Sequence, residues 1–285
     1  MHTFLLAFLA AALYGTGLVT THFGLRYLPA LAGARVSIPS AALLFWGLSP
    51  IFMDWAHWQG EAVMLFALVG SFYPAAVTLL TFVGNRRLGP TVAGTIGSTT
   101  PLFAVLGAAL FLGEVPGIRE SVATAVIVVG TMALSKPAGG PVPGTERSAL
   151  WMPWSAALLR ALAQVLSKAA LALWTSPFAA AMIGYSISTV IVWTAGFLTE
   201  RSVPSFNRRG VAWFALTGVL NGAAVLAMFY ALTSGPVTIV APVVATYPLF
   251  TLSLSALLIR HERMTARIVG GVILTVAGVI MLVAR

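Results

Sequence analysis

The sequence contains no cysteine and little charge. Seven acidic and sixteen basic residues make only 8% of 285 residues charged, where a soluble domain of this length carries roughly 25%. So few charges do not cover a water-facing surface, and lipid must be the solvent for most of the exterior. The missing cysteine excludes a disulfide, a zinc–thiolate centre and a cysteine nucleophile. Four histidines (His2, His22, His57, His261) are scattered. There is no phosphate-cradling loop, metal-ligand cluster or nucleophile elbow, so neither a cofactor nor a metal is expected, and the chain does not read as an enzyme. All seven acidic residues (Asp54, Glu61, Glu114, Glu120, Glu146, Glu200, Glu262) lie at or beside the gaps between apolar runs. A proton antiporter of cationic drugs needs a buried carboxylate, and that class is disfavoured. The net charge of +9 would suit nucleic acid, but the basic residues sit in short gaps between apolar runs, so no nucleic-acid partner is expected.

What is abundant is apolar: 59% of residues, with a mean hydropathy of +0.96. A membrane span needs about 20 apolar residues, and ten runs meet that length, near 3–23, 30–53, 61–83, 88–112, 116–135, 150–173, 177–199, 210–232, 236–259 and 267–284. The first begins at Thr3 with no basic stretch before it and reads as a span, not a cleaved signal. Most gaps are short, so successive helices are antiparallel neighbours. The longest, Lys136 to Ala149, is rich in proline and glycine and reads as a linker. The expected organisation is a five-span unit at 1–135, a linker at 136–149 and a second five-span unit at 150–285.

The two units repeat each other. Gly89-Pro90, Pro101-Leu102-Phe103, Glu114, Arg119 and Gly130 are matched by Gly235-Pro236, Pro248-Leu249-Phe250, Glu262, Arg267 and Gly278, which marks an internal repeat. Five is odd, so the second copy is inverted, and its basic gaps should alternate with those of the first. They do. The first unit is basic after spans one and three (Arg26; Arg86, Arg87), the second after spans seven and nine (Arg201, Arg208, Arg209; Arg260, Arg263, Arg267). The opposite side carries Arg119 and Arg285, while Arg35, Arg160 and Lys168 lie within apolar runs. The fold class is therefore all-α, ten transmembrane helices in two inverted five-helix repeats, the architecture of secondary transporters.

These residues resemble the drug/metabolite transporter superfamily, its EamA-type branch in particular. The proline-containing fourth helix, the glutamate in a tight turn and the glycine-rich fifth helix of each family half resemble Pro101/Glu114/Gly130 and Pro248/Glu262/Gly278. Arg35, six residues after Pro29, resembles a basic residue early in the family's second helix, and Tyr14-Gly15 stands where the family often has an aromatic–glycine pair. The resemblance spans the chain and implies export of small metabolites, with YddG-like amino-acid exporters as one group. The family habit puts both termini in the cytoplasm; the charge distribution here puts both outside.

An ionisable group at mid-membrane costs at least about 2.5 kcal/mol and marks a candidate site. Arg160 lies near the middle of span six, with Gln164 and Lys168 following at spacings of four on the same face. Their counterparts in the first repeat are Tyr14, Leu18 and His22. Arg160, Gln164, Lys168 and Tyr14 are expected to line a substrate path, joined by Tyr73 and Thr78 on span three, Ser98 on span four, Tyr185 and Trp193 on span seven, Asn221 on span eight and Tyr247 on span nine. His22, Arg35, Pro101 and Pro248 are candidates for gating or anion contact. The competing roles are a structural lock for Arg160, snorkelling for Lys168 and His22, interhelical glue for Asn221 and static kinks at the two prolines. The expectation is a secondary transporter that exports small metabolites, amino acids first, by alternating access. The cargo would be a zwitterion or organic anion, and the protein a monomer in the bilayer of the bacterial inner membrane. The alternatives are an exchanger of phosphorylated metabolites or nucleotide sugars, then an intramembrane enzyme or a non-transporting membrane protein.

Overall fold

The computed structural model describes residues 1–135, 147–199, 207–259 and 265–284, all as helix, turn or loop with no strand. The helices are α1 His2–Gly24, α2 Ala30–Phe52, α3 Gly60–Phe72, α4 Ala75–Gly97, α5 Thr100–Leu112, α6 Ile118–Ser135, α7 Trp151–Leu173, α8 Pro177–Thr199, α9 Arg208–Ser234, α10 Val237–Val244, α11 Tyr247–Ile259 and α12 Ala266–Val283. Seven of the ten expected crossings are single helices, the ninth joins α10 to α11, and α3, α4 and α5 together occupy the stretch of the third and fourth. Most of the linker expected at 136–149, together with Arg201, Arg260, Arg263, His261 and Glu262, lies outside the described residues.

One boundary differs from the sequence reading. Apolarity lapses at Asn85-Arg86-Arg87, where a gap was expected, yet α4 runs through it from Ala75 to Gly97. Arginine and leucine are good helix formers, and a change in polarity ends an apolar run without ending the helix. The backbone interruptions fall elsewhere, at Tyr73-Pro74, Ser98-Thr99 and Ala245-Thr246. The latter two are repeat-related. Thr99 Oγ1 donates to Ile96 O (2.6 Å) and Thr246 Oγ1 to Val243 O (2.7 Å), and Pro101 and Pro248 each stand two residues beyond. Proline is tolerated in a first turn, whose N–H groups have no partner inside the helix.

The packing is two-fold symmetric. α1 lies along α9, α10 and α11, while α7 lies along α3, α4 and α5; α2 meets α9 as α8 meets α3. The pairs α2·α8 and α6·α12 map onto themselves. With an odd number of crossings per repeat, the axis lies in the membrane plane. The large helix contacts therefore run between repeats. Lipid is as apolar as leucine, so small residues select these seams. A Cβ on Gly130 would come within 2.6 Å of Thr275 N and 2.9 Å of Gly271 O, and one on Gly278 within 2.9 Å of Ala123 O.

Gly130→Leu is expected to force α6 from α12 and lower stability by about 1–3 kcal/mol, the usual cost of overpacking. Thermal unfolding of the purified protein in detergent would show it as a lower midpoint, and an unchanged midpoint would contradict the seam.

Candidate functional site

The site begins with helix α7. Arg160 is the tenth of its 23 residues, about 14 Å along a helix rising 1.5 Å per residue, close to mid-membrane. It is half-buried. Gln164, one turn on, is 3% exposed, and Ser167, three residues further, is fully enclosed. Opposite this face stand three phenols. The Tyr14 and Tyr73 hydroxyls, from α1 and the end of α3, share a hydrogen bond of 2.7 Å. The Arg160 guanidinium and the Tyr185 phenol of α8 lie within electrostatic range of that pair. Tyr73 is held there by the interruption that follows it. The freed backbone is bridged by Ser188 of α8, which donates to Gly70 O (2.7 Å) and accepts from Ala75 N (3.3 Å).

Tyr73, Tyr185 and Ser167 also line a narrow cavity with Phe66, Val69, Val225 and Phe229, with about 10 Å³ of room for a water centre, the space of a single water. An aromatic path runs from it to the loop after α2: Phe66 to Trp174 (6.3 Å), Trp174 to Trp58 (5.6 Å) and Trp58 stacked on Trp55 (6.3 Å). In that loop, outside the membrane, His57 Nδ1 lies 2.6 Å from Asp54 Oδ2. That hydrogen bond, with one from Ala56 N, holds the Asp54 carboxyl below its ordinary range.

Other candidates make contacts of their own. Arg35 is 4% exposed, its guanidinium lying over the rings of Trp193 (5.6 Å) and Phe197 (5.7 Å) and filling the space beside Gly196; it ties α2 to α8. Lys168 donates to Leu232 O (2.5 Å) and Gly235 O (3.0 Å), the open carbonyls at the end of α9, where a cation is favoured. Beside it, Glu114 Oε2 accepts from Val237 N (2.6 Å) at the start of α10, where an anion is favoured. The Trp213/Thr217/Asn221 stripe is the seam between α9 and α1: Trp213 stacks on Phe23, Thr217 bonds Thr20 (2.8 Å) and Asn221 presses on Gly17. Ser98 is buried at the α4–α5 interruption. Tyr247 opens α11 with its carbonyl facing Gly15. Thr78 is half-buried on α4. His22 is exposed at the end of α1, 3.4 Å from Arg26 Nη2. Ser167 is the residue that the sequence reading passes over; its spacing of seven from Arg160 on the same helix face is the signal that would have found it.

The sequence model of the EamA-like transporter family matches residues 1–136 and 147–284. A crystal structure described only as that of a protein is similar to 99% of this chain and covers 98% of its own, with 18% identity and a TM-score of 0.83; at that identity the likeness is one of fold. No curated protein matches the chain.

Lys168→Met is expected to leave the α9 carbonyls without their donor and cost about 1–3 kcal/mol, while substrate affinity stays within about twofold. Thermal unfolding read beside ligand binding separates the two effects; lost affinity with unchanged stability would return Lys168 to the substrate path.

Proposed function

The chain belongs to the EamA-like transporter family, an integral membrane transporter, and we propose that its cargo is a small zwitterion, amino acids first, exported by rocking of the two repeats around the α7 face. The observation that carries this reading is Arg160. Of the three cations within spans, Lys168 is turned to backbone carbonyls and Arg35 to aromatic rings. Among the described residues no hydrogen bond or ion pair engages the Arg160 guanidinium. A cation near mid-membrane is costly without a partner, and a planar fork of donors suits a carboxylate. The phenols of Tyr14, Tyr73 and Tyr185 supply further donors or an aromatic wall. An exchanger of phosphorylated solutes would have to neutralise a dianion, and with Lys168 engaged elsewhere a single cation faces the ligand.

The two interruptions near Pro101 and Pro248 supply paired hinges for alternating access, in keeping with discontinuous helices in other transporters. Under this reading Ser98, Thr78 and Tyr247 border the moving helices. The basic end of the bundle, with Arg26, Arg87, Arg208 and Arg209, faces the cytoplasm by the positive-inside bias, both termini lie outside, and the pseudo-dimeric fold acts as a monomer in a bacterial inner membrane.

In proteoliposomes, counterflow of labelled leucine or phenylalanine is expected above empty vesicles. Arg160→Ala should lower it about 10- to 100-fold, the equivalent of one charge-assisted hydrogen bond, with normal folding. Signal for a sugar phosphate or nucleotide sugar and none for any amino acid would move the protein to the exchanger class. Because the chain lacks cysteine, single cysteines report orientation directly. One at Ala56 should react with an impermeant maleimide on intact cells, and one at Arg87 only after permeabilisation; the reverse pattern would invert the topology.

A further inference from the structure

Among the described residues, two enclosed polar atoms on the α7 face have no hydrogen-bond partner: Gln164 Oε1 and Ser167 Oγ. Both residues are more than nine-tenths buried, and Ser167 faces the cavity beside Tyr73 and Tyr185. A buried acceptor without a donor is destabilising, so a ligand that brings one is favoured there. The donors of the site are the Arg160 fork, the Tyr185 hydroxyl, and the O–H left over when Tyr14 and Tyr73 share one bond. Arg160 and Gln164 are four residues apart, so the cation and the unpaired amide oxygen are separated by about 6 Å along the helix. A carboxylate accepts and an ammonium donates. A ligand carrying both groups on one carbon satisfies both Arg160 and Gln164; a plain carboxylate brings no donor to Gln164 Oε1.

We infer that Gln164 Oε1, seconded by Ser167 Oγ, receives the substrate's ammonium and is the residue by which this transporter selects zwitterions over plain anions. The inference rests on the reading of Arg160 as the carboxylate site. Sites whose buried polar groups pair with a substrate group reject analogues lacking it far more strongly than apolar pockets reject a changed side chain.

The test is binding to the purified full chain in detergent at pH 7.5, by titration calorimetry, with L-leucine, its 2-hydroxy analogue and a sugar phosphate as probes. The parent is expected to prefer leucine at least tenfold over the hydroxy acid. Gln164→Leu should lower leucine affinity at least tenfold and the hydroxy acid's by less, because the ammonium is a charged donor and the hydroxyl a neutral one. Gln164→Glu, which keeps an acceptor, should retain the preference. Ser167→Ala should reduce it in part. A parent that binds leucine and the hydroxy acid alike overturns the inference alone, with no variant needed. So does a folded Gln164→Leu that discriminates like the parent. Binding of the sugar phosphate with neither leucine nor the hydroxy acid overturns the reading of Arg160 and this inference together. If Gln164→Leu does not fold, a Gln164→Glu protein that has lost the preference overturns it as well.

Discussion

A bilayer offers no water to repair a broken hydrogen-bond ladder, so every interrupted helix inside it must find its partners within the protein. Among the described residues three such interruptions occur, and each shows its repair. At Ser98-Thr99 and Ala245-Thr246 the threonine hydroxyl folds back to the carbonyl three residues earlier, a local solution available wherever the sequence puts a threonine at the step. At Tyr73-Pro74 the solution is borrowed: Ser188, from the opposite repeat, bonds backbone on both sides of the gap. The end of α3 can stop there only because α8 is docked against it. Tyr73, and with it the phenol pair that faces Arg160, is placed by that docking.

The same logic sorts the buried cations. Each arginine or lysine within a span must be matched by something that stabilises positive charge. Arg35 meets two aromatic faces, worth about 0.5–2 kcal/mol each at partly desolvated sites. Lys168 meets the negative end of a helix and completes its carbonyls. Arg160 has neither, and it sits deeper than either along its helix. The proposed ligand site rests on that difference. A structural cation is satisfied by the fold alone, whereas one that must bind and release a ligand stays incompletely matched between visits.

Periodicity and charge made the ten crossings, the inverted repeat and the α7 stripe readable from the sequence, because each rests on spacing within one helix. What spacing does not carry is the neighbour. Arg160, Gln164 and Lys168 share a face, but the partners of Lys168 lie 64 and 67 residues away, and only assembly shows that the stripe passes from the cavity to the end of α9. Trp213, Thr217 and Asn221 have the same spacing and form a helix seam instead. Ser167 went unremarked since a serine in a span is ordinarily a small packing residue; its enclosure without a partner appears only once α3 and α8 close over it. The continuity of α4 was hidden for a simpler reason, that hydropathy reports the solvent and not the hydrogen-bond ladder.

The interlocking of the repeats also bears on how the protein is made. Nearly every strong helix contact pairs a helix of one half with a helix of the other: α1 with α9, α7 with α4 and α5, α6 with α12. When α6 leaves the ribosome, its α12 face, the α9 seam of α1 and the α8 side of α3 are all still without partners. At about 5–20 residues per second, the remaining half takes on the order of ten seconds to arrive. For that interval α1 to α6 stand in the membrane with their glycine seams and the Tyr73 break unanswered. Completion of the bundle is therefore a late, long-range event, and the nascent first repeat is the stage at which assistance from the insertion machinery, or quality control by membrane proteases, has the most to act on.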